Sequence, residues 1–480
     1  MPPRGVPRGR MESIGAVERS SDRLEFKSLE TLEVQGQDKF GTLLNWKTGK
    51  ASESMSDQPD SESNPQLQRA REFFLARQPI LSRDQSLVAY ELLFRRAQFG
   101  GADVIDDLSA TASVIEHASE LGLENVLGAL LGFVNIDAAV LMSDFVHFLP
   151  PDKVVLEILE TVEVTDEVVQ RVTALSQAGF RFALDDVIAD SEGLQRLLPS
   201  ISIIKIDIMG MAPEILARLS RQFKVAGMRL LAEKVETIEQ FQVCLNLGFD
   251  YFQGYYFAKP AVMSGKKLSP SQLAIIRLMS QIVSEADTAD IERTIKHDAA
   301  LGFNLLRLAN TPGIGMARRI DTLGQALMVL GRRQLQRWLQ ILLYAEPGKS
   351  GNSLSPLLSM AATRGKLLEL MALKLYPAKR NMADIAFTVG IMSLMDTLFG
   401  SPMEEILKQI AVVDSVSDAL LSRTGIFGDM LKLAEYIERV DEAGSLLLPT
   451  LQKLQLSVED LNELQLAAFE WSENIARHAS

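Results

Sequence analysis

Cysteine occurs once in the 480 residues, tryptophan three times and histidine four times, and aromatic residues make up only 6%. A lone thiol excludes an internal disulfide framework and fits a reducing compartment. Its setting in "FQVCLNLGF" reads Cys244 as a core side chain in a helix rather than a nucleophile. No run approaches the roughly 20 apolar residues of a membrane helix, and the opening "MPPRGVPRGR" lacks the apolar segment of a secretory signal. A cytoplasmic protein without membrane insertion is expected. Positive charge is also in deficit, with 49 Lys and Arg against 62 Asp and Glu and a formal charge of −13. That balance argues against duplex nucleic acid, whose non-specific affinity rests on many cationic contacts. A small anionic ligand is still compatible with it, because a local cation or bound metal can hold one whatever the net charge.

What is present is enough apolar material, 47%, for more than one core at this length. Residues 1–66 are rich in Ser, Glu, Gln, Gly and Pro, end in "ASESMSDQPDSESNPQ", and read as a disordered leader, with Met55 as an alternative start. From Phe73 short β-branched runs alternate with helical segments. "KVVLEIL" is followed by Thr165 as helix cap, "DEVVQRVTALSQA" at helical spacing, Gly179 as stop and then "RFALD". The same β-α unit recurs through "SIIKIDI", "RLLAEK" and "YFQGYYF", which predicts an α/β fold with a parallel sheet or barrel over 67–266. Beyond Ser269 strand signals stop. Amphipathic stretches such as "SQLAIIRLMSQIVSEA", "TLGQALMVLGRRQLQRWLQILLYA" and "SPLLSMAATRGKLLELMALKL" predict an all-helical domain over 267–480, with the boundary near Lys266–Ser269.

Most of the β-runs stop at a polar residue: Glu91, Asn135, Glu157, the adjacent Asp185 and Asp186, Lys205, Glu233 and Gln253. In a parallel barrel the C-terminal strand ends share one rim, so these residues converge. Several carboxylates there cannot all ionise without cations between them, and an all-oxygen set suits Mg²⁺ or Mn²⁺. Two such ions can activate water and clamp a phosphoryl group. An adjacent aspartate pair suits a two-metal site of this kind, with Lys205 orienting water or balancing charge. Taken singly, each residue reads as an ordinary cap or surface acid.

These residues in this order resemble the EAL domain, the bacterial cyclic-di-GMP phosphodiesterase module. Glu91-Leu92-Leu93-Phe94-Arg95 stands where the family has E-A-L-x-R, and Asn135, Glu157, Asp185, Asp186, Lys205, Glu233, Glu236 and Gln253 match its later motifs. The resemblance implies a TIM-like barrel in which Glu91, Asn135, Glu157 and Asp185 ligate one metal, and Asp185 and Asp186 the other. Lys205 and Glu233 would stand near the attacking water, Leu93 and Arg95 at the ligand, and Glu236 and Gln253 in support. Where the family carries a "DFGTGYSS"-like loop this chain has "DVIADSEG", and "AEGVET" is "AEKVET", which puts Lys234 beside the site. In the family that loop braces the metal site and the dimer interface by way of a glutamate that Glu160 matches.

The helical half resembles the HDOD domain, a relative of the HD phosphohydrolases, through "KHDAALGFNLLRLANTP" and "IDTLGQALMVLGRRQLQRWLQ". Where an HD enzyme has adjacent His and Asp, this chain has Ser393-Leu394-Met395-Asp396. His297-Asp298 lies in another segment, without His117, His147 or His478 nearby in sequence, and reads as a helix end. The pairing implies a cyclic-di-GMP signalling protein of the EAL-HDOD type, with no metal-hydrolase chemistry in the second domain. Two readings follow: weak or conditional hydrolysis to linear pGpG, or a non-catalytic scaffold that binds the dinucleotide or a partner. An unidentified protein partner of the HDOD domain is implied by either, and a homodimer stays open.

Overall fold

The computed structural model describes residues 73–96, 123–258, 270–310, 320–344, 355–410 and 412–479. The expected leader, the start at Met55 and the linker around Lys266–Ser269 lie outside them.

Eight strands close into a barrel in sequence order: β1 (Phe73–Ser82), β2 (Leu87–Arg96), β3 (Leu131–Ile136), β4 (Val154–Ile158), β5 (Arg181–Leu184), β6 (Ile203–Asp207), β7 (Arg229–Glu233) and β8 (Tyr251–Gln253). Around them lie α1 (Leu123–Leu127), α2 (Ala138–Met142), α3 (Asp166–Gln177), α4 (Glu192–Leu197), α5 (Pro213–Val225) and α6 (Ile238–Asn246). Local signals act as the sequence predicts. Thr165 accepts from Val168 N at the start of α3, and Gly179 takes a φ of +100° after its end. Thr237 and Gln240 form a reciprocal capping box on α6, whose Cys244 is fully buried. Burial pushes that thiol up to about 12.

One expectation is corrected. The barrel is not wholly parallel, because β1 runs antiparallel to both β2 and β8. The link from Ser82 to Leu87 is a tight turn, with Ser82 N donating to Ser86 O at 2.9 Å. So short a link cannot make the crossover of a dozen or more residues that a parallel pair requires.

The helical half comprises α7 (Pro270–Val283), α8 (Thr288–Lys296), α9 (Ala299–Ala309), α10 (Leu323–Leu342), α11 (Pro356–Leu375), α12 (Arg380–Met392), α13 (Met395–Phe399), α14 (Met403–Gln409), α15 (Asp414–Ser422), α16 (Gly425–Glu438), α17 (Val440–Leu454) and α18 (Val458–Ala479). The α10 stretch reads as one helix in the sequence but breaks at Gly331, whose φ is +69°. Contrary to the expectation that no stretch would qualify, Arg380–Phe399 is long and apolar enough to cross a membrane; 67% of it is buried within the protein, and it is interrupted between α12 and α13.

The two halves share a core. Phe74, Ala76 and Leu93 of the hairpin belong to the same apolar cluster as Leu368, Met371, Met395 and Leu433 of the helices. Polar contacts reinforce this, as Thr397 Oγ1 donates to Ala258 O at 2.9 Å and Tyr255 OH donates to Glu438 O.

Candidate active site

Side chains alternate along a strand, and that period builds the site in two layers. The floor is apolar: Ile80, Ala89, Phe133, Val155, Ala183, Ile203 and Leu231 pack together inside the barrel, with Tyr251 against them. Two residues further toward the rim stands a polar layer: Glu91, Asn135, Glu157, Lys205, Glu233 and Gln253 on their strands, Asp185 just past the end of β5, and Gln78 from the reversed β1. The layer, rather than the strand end, sets the position. Glu91 therefore lies in mid-strand, paired across the ladder with Gln78, while β2 continues to Arg96.

The ammonium of Lys205 is the hub. It lies 2.8 Å from Asp185 Oδ1, 2.8 Å from Glu233 Oε1, 2.9 Å from Glu157 Oε1 and 3.4 Å from Glu91 Oε2. Gln253 Nε2 donates to Glu91 Oε2 at 2.6 Å and to Gln78 Oε1 at 2.5 Å, and Asn135 Nδ2 donates to Glu91 Oε1 at 2.9 Å. Gln253 is fixed there by Gly254, where a Cβ would come 2.2 Å from Val235 O. No other residue fits that approach.

One ammonium cannot direct hydrogen bonds to every oxygen around it. Glu157 Oε1 and Asp185 Oδ1 are at ion-pair distance from Lys205 but have no aligned donor, and Glu157 Oε2, Glu233 Oε2, Asn135 Oδ1 and Gln253 Oε1 are likewise buried and unpaired. All six are acceptors. Burial, then the neighbouring Glu91, drives the Glu157 carboxyl well above its ordinary range, and burial pushes Glu233 up to about 8. Burial and Asp185 raise Asp186 as well. Burial alone would lower Lys205, but Glu157, Glu233, Glu91 and Asp185 hold it well above its ordinary value. For Glu91 burial is outweighed by Lys205, Gln253 and Asn135, which hold it low.

Glu91, Glu157, Asp185, Asp186 and Glu233 set five carboxylates against one ammonium. With all six groups ionised, two divalent cations would balance the remaining charge. The carboxylates close on Lys205 in this arrangement, so among the described residues no three His, Cys, Asp or Glu side chains form a ready cation cage. The surplus of buried, donor-less oxygens nevertheless fits an oxygen-ligated divalent cation. Residues that could hold such ions are Glu91, Asn135, Glu157, Asp185 and Asp186.

The flanks carry this chain's departures. Asp186 and Lys234 both have left-handed backbones, with φ of +44° and +53°. Lys234 Nζ lies 2.5 Å from Asp207 Oδ2 and its charge also acts on Asp186. The altered loop is tied down: Val187 N donates to Lys205 O at 3.1 Å, and Asp190 accepts from Gln195 at 2.6 Å and from Gln222 at 2.5 Å. Glu160 is exposed, with its charge felt at Asp186. Glu236 is half-buried just before α6, its backbone N donating to Gln240 Oε1. Leu93 is buried in the apolar cluster shared with the helices. The side chain of Arg95 lies outside the described residues. Gln78 and Asp207 belong to the site and its flank without having been singled out in the sequence.

In the helical half Ser393 Oγ accepts from Arg364 Nη1 at 2.9 Å and donates to Gly390 O at 2.7 Å. His297 ends α8, and Asp298 accepts from Leu301 N at the start of α9, so that pair has the expected helix-end role.

Residues 62–260 match the EAL domain family and residues 268–398 the HDOD domain family. The uncharacterized protein YuxH of Bacillus subtilis is 31% identical over 414 residues, covering 84% of this chain and 98% of its own. Cyclic di-GMP phosphodiesterase CdgJ of Vibrio cholerae is 31% identical over 410 residues, covering 84% of this chain and 93% of its own. Among solved structures, a complex of the PaMucR phosphodiesterase with c-di-GMP aligns at 20% identity and TM-score 0.34, over 38% of this chain and 95% of that one. A manganese and cy-diGMP complex of Klebsiella pneumoniae BlrP1 aligns at 26% identity and TM-score 0.32, over 38% and 55%. The chain belongs to the family of proteins in which an EAL domain is followed by an HDOD domain.

Proposed function

We propose that the barrel rim binds cyclic di-GMP together with two Mg²⁺ or Mn²⁺ ions and hydrolyses one phosphodiester to give the linear dinucleotide pGpG. The observation that carries this reading is the layer of buried acceptors lacking donors around Lys205. The ions, when bound, would supply Lewis-acid activation of water and of the phosphoryl oxygens. The protein's own groups do the rest. Glu233, raised by burial, is suited to take a proton from water near neutral pH. Lys205 stays charged and balances negative charge as it develops on the phosphate. Water adds to phosphorus, the bond from phosphorus to the 3′ oxygen breaks, and that oxygen leaves with a proton.

The loop after Asp186 favours the second reading, binding without turnover, because Asp190 anchors it to α4 and α5 through two glutamines. In both readings the helical half relays the state of the barrel to a protein partner, in the cytoplasm, and the barrel remains a candidate for dimerisation. The test is incubation of the purified protein with cyclic di-GMP and Mg²⁺ or Mn²⁺, with products separated chromatographically and Glu91→Ala alongside. Linear dinucleotide from the parent alone supports hydrolysis. Nucleotide binding by calorimetry without product supports the scaffold.

A further inference from the structure

The outer face of the β1–β2 hairpin backs directly onto the rim. Gln78 and Glu91 face each other across the ladder and point inward; their neighbours Arg77 and Tyr90 point outward. A tight turn rather than a crossover helix joins the two strands, and α18 packs on their outer face. Gln465 Nε2 donates to Leu75 O at 2.9 Å, and Asn462 Oδ1 accepts from Leu75 N at 3.3 Å. The Arg77 guanidinium lies 4.1 Å from the Tyr90 ring centre and 4.0 Å from that of Phe469. It donates to Glu473 Oε1 and Ser472 Oγ, each at 3.3 Å, and to Val126 O of α1 at 2.5 Å. Tyr90 OH donates to the same Glu473 oxygen at 3.2 Å and hydrogen-bonds Ser359 Oγ of α11 at 2.8 Å. Arg77, Tyr90, Ser472 and Glu473 are all at least nine-tenths buried. A buried ion pair sandwiched by aromatic rings fixes strand position and rotation in a way that apolar contacts alone do not.

We propose that Arg77, Tyr90 and Glu473 are positioning residues for Glu91, and that α18 thereby forms a working part of the barrel although it lies outside both matched family segments, 62–260 and 268–398. Glu91 is a single residue from Tyr90 and shares its strand, and Gln78 is the same distance from Arg77. The outer network therefore sets where the Glu91 carboxylate and the Gln78–Gln253 bridge stand. The inference rests on the reading of the rim as a divalent-cation site.

The experiment titrates Mn²⁺ into the full chain by calorimetry and follows folding by circular dichroism, for Glu473→Gln, Tyr90→Phe, Glu91→Gln and the two double variants with Glu91→Gln. Tyr90→Phe removes a single oxygen and keeps the ring beneath Arg77, so it serves even where Glu473→Gln unfolds. Supporting partners of metal ligands typically alter metal affinity by 10- to 100-fold. Each outer variant is expected to weaken Mn²⁺ binding by about tenfold, near the lower end of that range, and to add nothing in the Glu91→Gln background. Unchanged affinity in the folded outer variants overturns the proposal, as does an equal further loss in the Glu91→Gln background. If Glu91→Gln itself binds Mn²⁺ like the parent, the cation reading of the rim falls first and this inference with it.

Discussion

Lys205 in the barrel and Arg364 in the helical half are both buried cations ringed by carboxylates, yet their partners are satisfied to different degrees. Arg364 bonds Glu438 through two nitrogens at 2.8 and 2.6 Å, and Glu435 lies at 2.9 Å from Arg423. Two guanidinium groups there meet two carboxylates, and none of their oxygens is left without a donor among the described residues. Around Lys205 four carboxylates meet one ammonium, and several buried oxygens of the rim have no donor. A matched buried set holds structure together; a mismatched one of a single sign persists where something else is to be bound.

If that contrast is right, cutting the matched set damages the fold and cutting the mismatched set damages chemistry. Arg364→Met, which leaves Glu438 buried without its partner, is expected to cost about 3–5 kcal/mol in chemical denaturation. It should leave Mn²⁺ binding intact wherever the barrel stays folded. Asp185→Asn is expected to lower cyclic-di-GMP turnover by about a hundredfold or more, about 3 kcal/mol of barrier. Because it relieves repulsion beside Glu157 and Asp186 while giving up the ion pair to Lys205 at 2.8 Å, its melting temperature should stay near the parent's. A melting temperature well below the parent's would place Asp185 with the structural set.

A third prediction concerns pH. Despite its burial, Glu369 is held down to about 2 by Arg337 and Lys366, against an ordinary value of 4.5. A carboxylate depressed in the folded state adds stability above its unfolded pKa and loses it as the pH falls through the folded one. The helical half is therefore expected to lose about 3 kcal/mol between pH 4.5 and 2 through this group, and Glu369→Gln to flatten that part of the profile. The smallest effect is expected at Lys234. Lys234→Gly removes a left-handed side chain and a half-exposed cation next to Asp207. A stability change within about 1 kcal/mol and Mn²⁺ binding tighter by a few-fold are expected, both readable by calorimetry.

Much of the rim was legible because its residues obey the two-residue period of a strand. From Ala89 to Glu91, Val155 to Glu157 and Ile203 to Lys205, a small or branched apolar residue lies two positions before each charge. Gln78 gives no such signal because β1 runs the other way, so its polar residue precedes the floor residue Ile80 instead of following it. Glu91 reads as a strand end because nothing in "VAYELLFRR" shows that its partner strand continues alongside it. The break at Gly331 was hidden inside a stretch whose apolar spacing suits one helix. The Arg77–Glu473 pair, 396 residues apart in sequence, could not be read at all, since only the folded chain brings α18 to the hairpin.

The most direct test of the central claim, that the donor-less oxygens around Lys205 are a place for divalent cations, is a calorimetric titration of Mn²⁺ into the purified chain beside Asp185→Asn. Saturable binding of two ions per parent chain is expected, with binding sharply reduced in the variant. No binding by the parent, or equal binding by both proteins, would contradict it.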